Sequence, residues 1–80
     1  MRLDKFLKVS RIIKRRTIAN ELCDASRVSA NGRIVKASYN VSVGDRISVT
    51  FGERTQTYEV LSIQENVGKD AARSMTRIIE

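Results

Sequence analysis

A chain of 80 residues, 41% hydrophobic and 30% charged, has room for one compact domain, spanning residues 1–80, that buries roughly 60–65% of its unfolded surface. One cysteine and no histidine exclude an internal disulfide, a thiolate or imidazole metal site and histidine acid–base chemistry. No run reaches the ~18 apolar residues of a membrane span and the basic start, Met1 to Phe6, leads into no apolar leader region; the expected setting is the reducing cytosol, without cofactor, metal or membrane.

The net charge of +6 is unevenly placed. Residues 1–36 carry ten Lys/Arg against Asp4, Glu21 and Asp24, whereas residues 37–80 carry five against six acids. The first half therefore holds all the excess, as a polyanion-binding surface requires.

In chain order, Leu3, Phe6 and Leu7 stand at i, i+3 and i+4, which predicts a short helix ending near Val9-Ser10. Arg2, Lys5 and Lys8 share a second stripe of it, and Asp4 has Lys8 at i+4 as its expected salt-bridge partner. Ile12 and Ile13 are expected to anchor the connection. Ile18, Ala19, Leu22 and Cys23 then give the apolar face of a second helix, from Arg15 or Arg16 to Ala25. Its start is crowded by Lys14, Arg15 and Arg16, which oppose the positive end of the helix dipole. An external phosphate would relieve that repulsion and meet free backbone N–H groups; the competing reading is a solvated basic linker.

Beyond Ser26 the period changes. Val28 and Ala30 alternate with polar residues, Asn31-Gly32 is a strong hairpin signal, and Ile34-Val35 returns. Val43-Gly44-Asp45 marks a turn before Ile47, Val49 and Phe51, a half-buried strand by period two. Gln56 to Ile63 is β-rich, and a helical turn near Asp70–Arg73 leads to a last short strand. The fold class is α+β: two N-terminal helices on a small, mainly antiparallel sheet.

No glycine-rich phosphate loop, paired carboxylates or serine beside a base is present, so no catalytic residue is assigned. Cys23 lies on an apolar face, where an inert thiol is the default. A DNA-reading helix-turn-helix fits poorly, because the exposed face of helix two carries Glu21 and Asp24. A single-strand stacking platform lacks its row of aromatics: Phe6 and Phe51 are expected in the core, leaving Tyr39 and Tyr58. Recognition of folded RNA by shape and phosphate position remains.

Arg2-Leu3-Asp4-Lys5-Phe6-Leu7, Arg16-Thr17-Ile18-Ala19, Val28-Ser29-Ala30-Asn31-Gly32 and Val43-Gly44-Asp45 together resemble the S4-type RNA-binding domain. The likeness covers residues 1–51, and the strands within 56–80 agree with its fold. It implies that the two helices and first hairpin grip RNA through Arg2, Lys5, Lys8, Lys14, Arg15, Arg16, Arg33 and Lys36. Arg11 and Asn20 complete the expected site, supported by Asp4, Thr17, Asn31 and Gly32, with Asp4 orienting a neighbouring cation. Arg54 and Arg73 fall outside it. Two positions depart from the family pattern: Ser26 replaces a helix-ending glycine, at ~1 kcal/mol if left-handed, and Arg15 replaces an N-capping serine.

The whole chain is most similar to stand-alone bacterial members serving ribosome-associated quality control. Heat-shock-type members extend further in a basic arm, and the end at Glu80 favours the former. The implied partners of this non-enzymatic monomer are large-subunit ribosomal RNA, peptidyl-tRNA on the stalled large subunit and a tailing factor of the RqcH type. The implied role is to assist C-terminal tailing of stalled chains. Another structured RNA, a large-subunit biogenesis intermediate, or an acidic protein met by the basic face are the alternatives.

Overall fold

A computed structural model describes residues 1–79. Helix α1 (Leu3–Val9) and α2 (Arg16–Asp24) precede β1 (Val28–Ala30), β2 (Arg33–Ile34), β3 (Arg46–Phe51) and β4 (Arg54–Val60). A third, short helix α3 (Lys69–Arg73) leads to β5 (Thr76–Ile79). The strands form one antiparallel sheet in the order β2-β1-β3-β4-β5. No helix among the described residues is long and apolar enough to cross a membrane.

The expected apolar stripe of α1 is the heart of the core: Leu3, Phe6 and Leu7 are wholly buried. They meet Val28, Ile47 and Val49 from the sheet, Val60 at the end of β4 and Met75 after α3 in one cluster. Each such side chain contributes about 1.5–3 kcal/mol of transfer free energy, so the strands after residue 47 stabilise the helices as much as β1 does. Ile13 is buried and Ile12 half-buried, anchoring the connection as expected.

Helix α2 touches this core along a narrower line than its sequence suggests. Ala19 and Cys23 are buried and Leu22 half-buried, but Ile18 is 42% exposed. One residue rotates a helix by about 100°, which carries Ile18 off the Ala19–Cys23 stripe. The helix ends in a Schellman motif: Ser26 N–H donates to the Cys23 carbonyl (3.0 Å) and Arg27 N–H to that of Leu22 (2.9 Å). Ser26 has φ +60°, the left-handed conformation that glycine takes without strain.

Asn31 (φ +53°) and Gly32 (φ +83°) both take positive φ, as a two-residue hairpin turn matching the strand twist demands. In β3, Ile47 and Val49 point into the core, whereas Phe51, expected there, is 44% exposed. Strand β1 pairs with β3 only over Ile47 to Val49. Phe51 lies two residues beyond that pairing, opposite Arg54, where the sheet has outrun its cover. The closing helix and strand fall where the sequence placed them.

Candidate nucleic-acid interface

The two helices are joined by Asp4. Its carboxylate is almost wholly buried, yet five donors from four residues reach it: Arg2 Nε (3.3 Å) and Nη2 (3.5 Å), Arg16 Nη2 (3.4 Å), Asn20 Nδ2 (3.3 Å) and the Lys5 N–H (2.8 Å). Burial opposes the charge, but the bonds from Asn20, Arg16 and Lys5 outweigh it and hold the carboxyl below its ordinary range. Lys8, the expected i+4 partner, makes no ion pair with Asp4. The reason is direction: Asp4 faces the α1–α2 seam, where residues 12 and 16 positions away can reach it. Arg2 and Arg16 remain half-exposed, so their guanidinium groups are anchored at one edge and open to solvent at the other.

The two helix starts contrast. At α1, Leu3 N–H donates to the Tyr39 carbonyl (2.8 Å) and Asp4 N–H to that of Ala37 (3.2 Å), while Lys5 N–H is taken by the Asp4 carboxylate. At α2, Arg15 holds the N-cap position in extended conformation without a side-chain cap, and the first turn has no acid. The first backbone bond there is Ala19 N–H to the Arg15 carbonyl (3.1 Å). Among the described residues, no protein acceptor meets the N–H groups of Arg16, Thr17 and Ile18, which are exposed. Three donors, a positive dipole end and three cations thus face solvent together.

The hairpin is held by a second buried-edge carboxylate. Asp45 accepts from Tyr39 Oη (2.8 Å), the Ser42 N–H (2.9 Å) and Asn31 Nδ2 (3.1 Å). Burial again opposes the charge, and these bonds carry the carboxyl below its ordinary value. The bond to Asp45 in turn raises the Tyr39 hydroxyl above its own. Asn31 also accepts from Arg46 N–H (3.0 Å). The Asn-Gly turn and the Gly-Asp turn, two separate signals in the sequence, are one hydrogen-bonded unit. Arg33 and Lys36 are exposed on and after β2, and their side chains make no hydrogen bond or ion pair among the described residues.

Lys8, Arg11 and Lys14 belong to a different gathering. They edge an open groove of about 920 Å³ whose opposite side is built by Lys69 and Arg73 of α3, with Tyr58 and Ile78 of the sheet. Glu65, which also lines it, is paired with Lys5 (2.9 Å). The site expected from the sequence is thus parted into an Asp4-centred group, the α2 start, the hairpin and this groove. Arg73, left outside by the charge count, shares the groove with three residues inside it. The i, i+4 spacing of Lys69 and Arg73 on one helix was the available signal, masked by the near-neutral second half.

Cys23 is buried, and its thiol is pushed up to about 11 by burial and by the nearby charges of Asp4 and Asp24. At neutral pH it is a packing group.

A family model described as the S4 domain matches residues 1–47. The RQC P-site tRNA stabilizing factor of Bacillus subtilis is 48% identical over 80 residues, covering 100% of this chain and 93% of its own. That of Halalkalibacterium halodurans is 45% identical over 78 residues, covering 98% and 89%. Among solved structures, trimeric heat shock protein 15 of Vibrio cholerae superposes with a TM-score of 0.89 at 29% identity, covering 99% of this chain and 81% of that one. With its two packed helices, its Asn-Gly hairpin and a sequence matched over most of the helical half, the chain belongs to the S4 domain family.

Proposed function

We propose that this chain is a non-enzymatic RNA-docking factor of the large ribosomal subunit. It grips folded ribosomal RNA through Arg2, Lys5, Lys8, Arg11, Lys14, Arg15, Arg16, Asn20, Arg33 and Lys36. On subunits obstructed by a peptidyl-tRNA it steadies that tRNA, a role supported by relatives named P-site tRNA stabilizing factors. In doing so it assists C-terminal tailing of the stalled chain beside a factor of the RqcH type. The observation that carries the RNA-gripping part is the start of α2. A helix end with three unpartnered N–H groups, no acidic cap and flanking cations is the complement of a phosphate. Asp4 holds Arg16 and Arg2 beside it, and Asp45 holds the hairpin.

A helix whose exposed mid-section carries Glu21 and Asp24 suits backbone contact at its end and not insertion into a groove. The likeness to heat shock protein 15 favours a second reading, in which the subunit bound is a heat-shock or assembly intermediate. Sucrose-gradient sedimentation of lysate tests the proposal. The chain is expected with free large subunits and to leave them on Arg16→Ala. A position only at the top of the gradient refutes it. Binding must also weaken with salt, at a log–log slope of about −0.7 to −0.9 per phosphate neutralised.

A further inference from the structure

The groove between the α1–α2 connection and α3 has a chemistry of its own. Its rim carries Lys8, Arg11 and Lys14 on one side and Lys69 and Arg73 on the other, all exposed. None of these five side chains makes a hydrogen bond or ion pair among the described residues. The ion pairs there belong instead to Arg2, Lys5, Arg16 and Arg77. The single acid at the rim, Glu65, is already matched by Lys5. Five unmatched cations around one concavity repel one another, and the field they make favours a polyanion.

Part of the floor is apolar, beside the polar Thr76. Tyr58 and Ile78 are directly opposed across β4 and β5 and so lie on one face of the sheet. Ile12 and Val67 border them. Ile78 is 60% exposed, although Tyr58 beside it is half-buried against the core. The backbone ridge of a paired RNA helix presents only phosphate and sugar, and gains nothing from such a floor. An unpaired strand presents both a phosphate edge for the rim and base faces for the floor. The ring of Tyr58 gives one stacking surface, enough for a short segment and not for a platform.

We propose that this groove holds a short unpaired RNA segment, phosphates on the Lys/Arg rim and a base against Tyr58 and Ile78. The inference rests on the RNA-docking reading and extends it, joining Lys8, Arg11 and Lys14 of that surface to Tyr58, Lys69, Arg73 and Ile78 beyond the matched S4 region. Fluorescence anisotropy with labelled hexauridylate at low salt tests it, beside a blunt RNA duplex of similar charge. Wild type is expected to bind the single strand more tightly than the duplex. Lys69→Glu with Arg73→Glu is expected to weaken hexauridylate binding by at least about tenfold. A charge-matched pair outside the groove, Arg27→Glu just before β1 with Arg54→Glu at the start of β4, is expected to weaken it much less. Tyr58→Leu is expected to cost about fivefold or more, and Ile78→Glu, at an exposed position, gives the same answer if the tyrosine variant fails to fold.

Equal losses from the two charge-reversal pairs would overturn the groove, as would no binding of hexauridylate. Equal binding of the duplex, or displacement by polyglutamate at equal charge concentration, would overturn its choice of an unpaired strand. Arg16→Ala in the gradient reports separately. Release from large subunits there, with no effect of Lys69→Glu and Arg73→Glu on hexauridylate, sinks the groove and spares the docking reading.

Discussion

Arg15→Ser sets stability against binding at one residue. Arg15 already has the extended N-cap conformation (φ −124°, ψ 133°) and offers no side-chain acceptor. A serine there can accept from Thr17 or Ile18 N–H, a gain of about 1 kcal/mol. Removing a cation from the positive end of the dipole adds about 0.5 kcal/mol. For a domain of this size the sum of about 1.5 kcal/mol raises Tm by roughly 6–12 °C. If a phosphate docks at this end, the same change removes one neutralising charge. RNA affinity then falls, and the salt slope becomes shallower by about 0.7–0.9. Thermal unfolding by circular dichroism and a salt titration of RNA binding read the two effects separately. The two should also part at high salt, where the binding loss shrinks and the cap gain persists. A Tm that stays put or drops would refute the argument about the open helix end. A raised Tm with unchanged salt slope would refute the placement of a phosphate at it.

Ser26→Gly should stabilise the chain by about 0.5–1 kcal/mol in urea unfolding, because φ +60° strains serine and not glycine. RNA binding is expected to stay as it was. Asp45→Ala leaves Tyr39, Asn31 and the Ser42 N–H without their acceptor and should cost about 1–3 kcal/mol, with faster amide exchange at the hairpin as its local mark. Asp4 and Asp45 both have carboxyls lowered from the ordinary value of 3.8. Their contribution is therefore complete above that value and is lost as pH falls through the lower folded-state values. Wild type should lose stability in acid more steeply than Asp45→Asn, and parallel acid profiles for the two would contradict this. Leu7→Ala, at a wholly buried position of α1, should cost about 2–5 kcal/mol by urea unfolding, and an effect under 1 kcal/mol would contradict the shared core.

Local signals carried most of the fold into view. The period of α1, the Asn-Gly turn and the alternation of Ile47 and Val49 are set by neighbours within a few residues, and each appears where its pattern puts it. Ser26 was legible as strained because a single backbone angle decides it. The partner of Asp4 was misread for the opposite reason. The i, i+4 rule gives a helical acid a partner on its own surface, whereas Asp4 turns inward and meets Arg16 and Asn20 of the next helix. Phe51 obeys the strand period but outruns the pairing that would cover it. The groove was out of reach because Lys8 and Arg73 are brought together only by the closing of α3 and β5 onto the sheet.

The core shared by α1 and the later strands also decides how the molecule can be taken apart. The matched S4 region stops at Ile47, inside β3, yet Leu3, Phe6 and Leu7 close on Val49, Val60 and Met75. A fragment cut at that boundary keeps eleven of the fifteen cations and loses half the wall they stand on. Such a peptide would still bind RNA as loose positive charge, with no selectivity for a folded target. Residual affinity in a truncation is therefore no measure of the docking surface, and dissection is better done by point substitution in the whole chain.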